Sequence, residues 1–291
     1  MEAALALCRF AHFLAAMVVF GTSAYLWLLA PDALRRALSP LLRPVVLTAG
    51  LVVLLSAILW VALESAAMAE DWSGAWDPEM LEGVFFETAF GRVWQGRLVL
   101  CVVLVAALAF RAGGRWDLRT VLAALTLASL ALTGHAAMQT GGLGALHRVN
   151  DAMHLLCGGA WIGGLLPFAL CLRRFAPPEL RGEAVSAMML YSRYGHFFVP
   201  LLVLSGMTNV ALTTGDLPFP ASSPYRALLL AKIALVGFLI TLALVNRYVI
   251  VPRLRPDEKP LRGLRTTTAA EIALGAVAVG LVSLFGLWDP T

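Results

Sequence analysis

Charge is scarce in this chain of 291 residues. Asp, Glu, Lys and Arg make up 14% of it and hydrophobic residues 60%, whereas soluble domains are about 25% charged. A water-soluble fold is excluded. Cysteine is also rare. Cys8, Cys101, Cys157 and Cys171 are the four; all lie in apolar runs and none forms a CxxC pair. Neither a disulfide framework nor a zinc ribbon is indicated, and they read as small buried hydrophobes. There is no internal repeat, no low-complexity segment, and no connection long enough for a separate soluble domain. No basic cluster precedes the first apolar run. The chain starts MEAALALCRF, with Glu2 ahead of the run, and the run extends to about Ala30. That is longer than a signal-peptide core, so a retained first helix is expected.

What is present is a series of apolar runs of about 20 residues, each long enough to cross a bilayer. They predict an all-α polytopic membrane bundle, a single domain over 1–291. Eight spans are expected, at about 4–30, 44–69, 92–110, 118–140, 147–172, 189–213, 225–250 and 267–288. Pro31, Pro40 and Pro44 are expected to break the chain between the first two. Between Glu70 and Gly91, Asp77-Pro78-Glu79 reads as an N-cap followed by proline in the first turn of a short interfacial helix.

The net charge of +4 does not imply nucleic-acid binding, because the basic residues follow topology. Sixteen of the 22 Lys and Arg fall in alternate connections. Examples are Arg35, Arg36 and Arg43, then Arg173, Arg174 and Arg181, then Arg253, Arg255 and Lys259. Arg92, Arg97, Arg148 and Arg226 are expected on the other side, mostly at span edges. By the positive-inside rule both termini face the periplasm of a bacterial inner membrane.

Orientation gives depth to the intramembrane polar residues. At 1.5 Å per residue, His12, Glu64, His135, His154 and Lys232 fall roughly 7 to 12 Å below the outer face. Met138 follows His135 by one turn, and Met207 and Asn209 end the sixth span. Polar groups facing lipid are costly, so a polar cavity opening outward is expected. The fifth span, LHRVNDAMHLLCGGAWIGGLLPFALCL, carries His147, Asp151, His154, Gly158 and Trp161 on one helical stripe. His147 is expected at the exposed interface. The paired glycines at 158–159 and 163–164 suit close helix packing or entry of a ligand. Imidazole and thioether suit copper, and the softer ligands favour Cu+ over Cu2+. The expected ligands are His12, His135, His154 and Met138. Asp151 and Glu64 would orient imidazoles, with His147 and Met207 in support. Lys232 would repel a metal ion and is expected to pair with Glu64 or Asp151. His196 and Glu271 belong to the inner half, Glu271 near the headgroups.

Several segments resemble the copper resistance D family of bacterial inner-membrane proteins. They are HLLCGGAWIGGLLPF from His154, ETAFGRVWQGRLVL from Glu87, YSRYGHFFVPLLVLSGMTN from Tyr191, and LLLAKIALVGFLITLALVNRYVIVPRL from Leu228. The resemblance implies eight spans and movement of copper from periplasm to cytoplasm, often beside a periplasmic copper protein of the CopC type. The chain carries no such domain and no methionine-rich outer loop. A transporter or metal-binding protein, not an enzyme, is expected. Two rivals stand beside it. Histidines on facing spans could be axial ligands of haem b in a quinone-linked electron carrier. A membrane assembly factor without ligand is the other.

Overall fold

Apolar residues at helical spacing lead to long helices that bury one stripe and leave the rest to lipid. The computed structural model describes residues 1–110, 115–134, 139–174, 178–215, 223–253 and 258–288. Helix α1 (Glu2–Ala24) continues through a π turn, Tyr25–Leu29. It buries Leu5, Cys8, His12, Ala15, Ala16 and Val19, a stripe at i, i+3 and i+4. Helix α2 (Asp32–Met68) buries Leu34, Leu38, Leu42 and Val46 in the same way. A short helix α3 (Pro78–Glu82) leads to α4 (Ala89–Ala109) and α5 (Trp116–Ala128). Then come α6 (Gly141–Gly158), a π turn at Gly159–Gly163, α7 (Gly164–Arg174) and α8 (Pro178–Thr214). Helix α9 (Pro224–Val245), a π turn at Asn246–Ile250 and α10 (Glu258–Phe285) close the chain. There is no strand among the described residues.

Helix α1 is the centre of the bundle and packs against α2, α5, α7, α10 and the π turn after α6. Helices α8 and α9 are peripheral. Phe197, Leu204, Phe238 and Leu244 on them are exposed, as expected of surfaces that meet lipid.

Among the described residues, seven helices are long and apolar enough to cross a membrane. The fourth expected span, 118–140, differs. Helix α5 has 13 residues, and a 3-10 turn, Ser129–Leu132, extends it. Gly134 then turns the chain at φ +74°, a left-handed conformation that glycine adopts without steric cost. His135 and Met138 lie outside the described residues.

Pro31 does end the first span, but Pro40 and Pro44 lie inside a continuous α2. The start of α2 is held by tertiary contacts that outweigh two missing amide donors. Leu34, Leu38 and Leu42 are wholly buried, and the Glu183 carboxylate accepts from Leu34 N–H at 2.6 Å. An acid at a helix N-terminus satisfies an orphan donor and complements the dipole. The short interfacial helix forms as its residues suggest, with Asp77 capping Glu79 N at 3.1 Å and proline in the first turn.

The glycines after α6 bring backbones together. A Cβ on Gly163 would meet Met17 and Gly21 of α1, and a Cβ on Gly21 would meet Gly159, Gly163 and Gly164. Thr22 Oγ1 donates to Gly163 O at 3.4 Å across the crossing. Close packing is therefore the use of this glycine run.

Candidate functional site

The polar residues expected in one outer layer sort into two separate clusters. The first is built around His12, which is fully buried on α1. Ser56 Oγ donates to Val52 O, so it accepts from His12 Nδ1–H at 2.8 Å. His12 Nε2 then accepts from Arg97 Nη2. Arg97 is 1% exposed, which corrects its expected place at a span edge. Its Nη1 donates to Thr126 O at 2.8 Å and to Ser129 Oγ at 2.5 Å. Trp60 and Trp94 enclose the imidazole at 5.7 and 6.2 Å between ring centroids. Both ring nitrogens of His12 are thus engaged, and a guanidinium faces the acceptor nitrogen. Glu64 is beside Trp60 and Arg9, not beside Lys232.

The second cluster lies between α6, α8 and α9. His147, Asn150, Asp151 and His154 share one stripe of α6 at i, i+3, i+4 and i+7. His154 Nδ1 is 3.0 Å from Leu202 O, which can only accept. The proton is therefore on Nδ1, and Nε2 carries the lone pair. His147 repeats the arrangement. Gln139 Nε2 donates to Leu212 O at 2.6 Å, so Gln139 Oε1 is left to accept from His147 Nδ1–H at 3.2 Å. His147 is buried, not at an exposed interface. Among the described residues, no hydrogen bond to either Nε2 is seen.

Amides from α8 fix the carboxylate of this stripe. Asn209 Nδ2 donates to Asp151 Oδ1 at 2.8 Å. Asn150 Nδ2 donates to Asn209 Oδ1 at 2.6 Å and to Ser205 O at 2.8 Å. Lys232 of α9 lies within electrostatic reach of both Asp151 and His154. Met207 is 63% exposed and turned from the cluster. No group of three or more His, Cys, Asp or Glu able to hold a metal ion occurs among the described residues. A groove of about 580 Å³ between α1 and α2, lined by Ala11, Ala15, Pro44, Thr48 and Val52 among others, is apolar and holds none of the candidate donors.

Comparison with known proteins decides the family. Residues 1–145 match the model of the copper resistance protein D-like N-terminal domain, and residues 185–285 match that of copper resistance protein D. Inner membrane protein YebZ of Escherichia coli is 34% identical, with 97% of each chain covered. Copper resistance protein D of Pseudomonas syringae pv. tomato is 30% identical, with 97% of this chain and 95% of that one covered. The chain belongs to the copper resistance protein D family. Copper transport protein CutJ of Bacillus subtilis is 24% identical over 74% of this chain and 39% of its own. No solved structure matches.

Membership of this copper resistance and transport family, with seven membrane-length apolar helices, makes the chain a multi-pass inner-membrane protein. Sequence reasoning picked out His147, Asp151, His154 and Lys232 of the α6–α8–α9 cluster. It missed Asn150 and Ser205 there. Asn150 was detectable, since it falls one turn after His147 and one before His154. Ser205 was not, because a serine in a membrane helix more often bonds its own backbone, as Ser205 also does to Leu201 O.

Proposed function

We propose that the protein binds copper at the α6 stripe and moves it from periplasm to cytoplasm. The observation that carries this reading is the tautomer of two histidines. His154 and His147 each anchor Nδ1–H on an acceptor, Leu202 O and Gln139 Oε1, and present Nε2 along one helix face. An imidazole oriented in this way is a ready metal ligand, and copper is among the ions it suits. The two residues are seven apart, about 10 Å along the axis, so they serve successive positions of the ion. His135 and Met138 join as ligands from the segment that ends at Gln139, with the thioether favouring Cu+. Asp151 and Lys232 balance one another until a cation arrives. Glu64 and Met207 have supporting roles at most. His12 enters the ligand set only by exchanging Arg97 for copper; Arg97→Met should then raise bound copper, and unchanged copper removes His12 from the set.

In this reading α5 and its 3-10 extension make the eighth crossing and both termini lie in the periplasm, where a separate copper protein of the CopC type would deliver the ion. Metal analysis of purified protein tests the site. Copper content should fall in His154→Ala and His135→Ala, and equal copper in wild type and both variants would refute it. Haem b has less support, because Arg97 engages His12 Nε2 and Tyr248 engages His196 Nε2 at 2.9 Å. A Soret band in the purified protein would reverse that order. An assembly factor without ligand predicts unchanged copper tolerance when the histidines become alanine.

A further inference from the structure

A second buried polar group lies apart from the α6 stripe, and the copper reading makes no use of it. Glu271 of α10 is 4% exposed. It lies ten residues into the apolar segment Leu261–Phe285. Its carboxylate accepts from Asn246 Nδ2 at 2.6 Å. Asn246 opens the π turn that ends α9. Two more oxygens here are buried without a hydrogen-bond partner, Asn246 Oδ1 and Thr268 Oγ1. Their residues are 8% and 1% exposed. Thr268 precedes Glu271 by three positions and so shares its face of α10. A threonine in a helix commonly donates to the carbonyl one turn back, as Thr267 does to Gly263 O at 3.1 Å. Thr268 leaves its hydroxyl for the cluster.

No cation balances this carboxylate among the described residues. Tyr191 of α8 is the titratable group within electrostatic reach, and its hydroxyl donates to Trp161 O at 2.5 Å. The neighbouring arginines are directed elsewhere. Arg247 of the π turn donates to Ser192 Oγ, Arg265 of α10 to Leu172 O at 3.0 Å, and Arg9 of α1 to Gly286 O at 3.0 Å. On α7, Cys171 pairs with the Tyr25 hydroxyl at 3.3 Å. An unpaired ionised carboxylate is costly in such surroundings and is relieved by a proton or a metal cation. A metal cation needs a fuller oxygen shell than one carboxylate, one amide oxygen and one hydroxyl.

We propose that Glu271, Asn246 and Thr268 form a proton-binding site. One proton taken from water neutralises the carboxylate. The Asn246 amide holds one carboxyl oxygen; on protonation the other turns toward Thr268 Oγ1, one helical turn away, with which the carboxylate as it stands makes no hydrogen bond. Tyr191 links this site to Trp161 in the π turn that ends α6. Tyr191 and Leu202, whose carbonyl accepts from His154, both belong to α8. The proton site gives the protein a place to hold a proton within the membrane, whatever the α6 stripe binds.

Infrared difference spectroscopy of the full chain in lipid nanodiscs tests this, in H2O and D2O. At pH 7 an ordinary glutamate, with a pKa of about 4.3, shows only carboxylate bands. A protonated carboxyl C=O stretch is expected in the wild type, lost in Glu271→Gln and shifted in Thr268→Val. Glu271→Asp provides a second variant should Glu271→Gln not fold, and should move the stretch without abolishing it. Identical spectra for wild type and a folded Glu271 variant would overturn the proposal. So would loss of the stretch on replacing potassium by sodium at constant ionic strength, which would assign the oxygens to Na+. Copper content of the same samples separates the two readings, since copper binding lost by His154→Ala with the stretch intact concerns only the α6 stripe.

Discussion

Gly163→Ala should cost far more than an ordinary glycine replacement in a membrane helix. The added methyl would meet the Met17 carbonyl and come within 3.1 Å of Gly21 Cα. Every one of those atoms is backbone, so no side chain can swing aside. Helix α1 must separate from the π turn, and the Thr22 Oγ1 bond to Gly163 O is lost with it. Overpacking costs about 1–3 kcal/mol. The absence of a flexible neighbour puts this case at the upper end, and the hydrogen bond adds about 0.5–1 kcal/mol. The sum is about 3.5–4 kcal/mol, or a shift of on the order of several hundredfold in the unfolding equilibrium. Gly237→Ala is the control. It lies in α9 with nothing within 4 Å of the new methyl, and should stay within about 0.5 kcal/mol of wild type. Denaturant titration in mixed micelles, followed by tryptophan fluorescence, compares the two. Equal effects, or a neutral Gly163→Ala, would show that α1 does not pack backbone to backbone on this turn.

Further outcomes follow from the hydrogen bonds. Ser56→Ala removes the hydroxyl that accepts from Nδ1–H of fully buried His12, leaves it only the weaker Val53 carbonyl, and should cost about 1 kcal/mol in thermal unfolding. Ser205→Ala should cost less, because His154 Nδ1–H keeps Leu202 O; the reverse order would overturn the tautomer assigned to His154. In the connection before α3, Asp71 accepts from Ser73 N at 2.7 Å, which holds its carboxyl below the ordinary 3.8. A depressed carboxyl contributes order that is present above its unfolded value and lost as pH falls through the folded one. The amide resonance of Ser73 should therefore stay constant at neutral pH and move only below about pH 3.8, and a titration centred above that value would contradict the cap. Asn209→Ala removes the donor from Asp151 and the acceptor from Asn150. Copper content should fall less in it than in His154→Ala.

Hydropathy alone located seven of the eight expected spans, because lipid-facing surfaces make apolar runs obligatory. Two kinds of feature were less legible. Proline content suggested a break at Pro40 and Pro44, yet α2 runs through both, since burial of Leu34, Leu38 and Leu42 depends on partners distant in sequence. The depth of a polar residue follows from its position in a span, but the direction it faces does not. His12 and His154 have similar expected depths, yet one faces α2 and α4 and the other α8. Arg97 looked like an edge residue because it is near the start of α4; its burial comes from His12, Thr126 and Ser129 on three other elements. The α6 stripe was legible because its residues share one helix, so periodicity alone aligns them.

The arrangement around α6 explains why those residues need a rigid helix beneath them. A π turn inserts one extra residue and frees a carbonyl from the helical ladder. At Gly159–Gly163 that turn is clamped on α1 by the glycines, and Trp161 O is taken by the Tyr191 hydroxyl. The helix is thus held at its base against both α1 and α8. Above the base, α8 supplies Leu202 O, Ser205 and Asn209 to the stripe. One helix, α8, therefore carries the anchor of the turn, the acceptors that set His154 and the amide donor that sets Asp151. A change of register between α6 and α8 cannot leave the histidine tautomer in place while Tyr191 keeps its carbonyl. Leu202 O and Ser205, which orient the imidazole, lie on the same helix as Tyr191, which is within electrostatic reach of Glu271. Any movement that carries an ion past His154 must either break the Tyr191–Trp161 bond or move α6 and α8 as one body, and crosslinking Trp161→Cys to Tyr191→Cys would distinguish the two by blocking only the first.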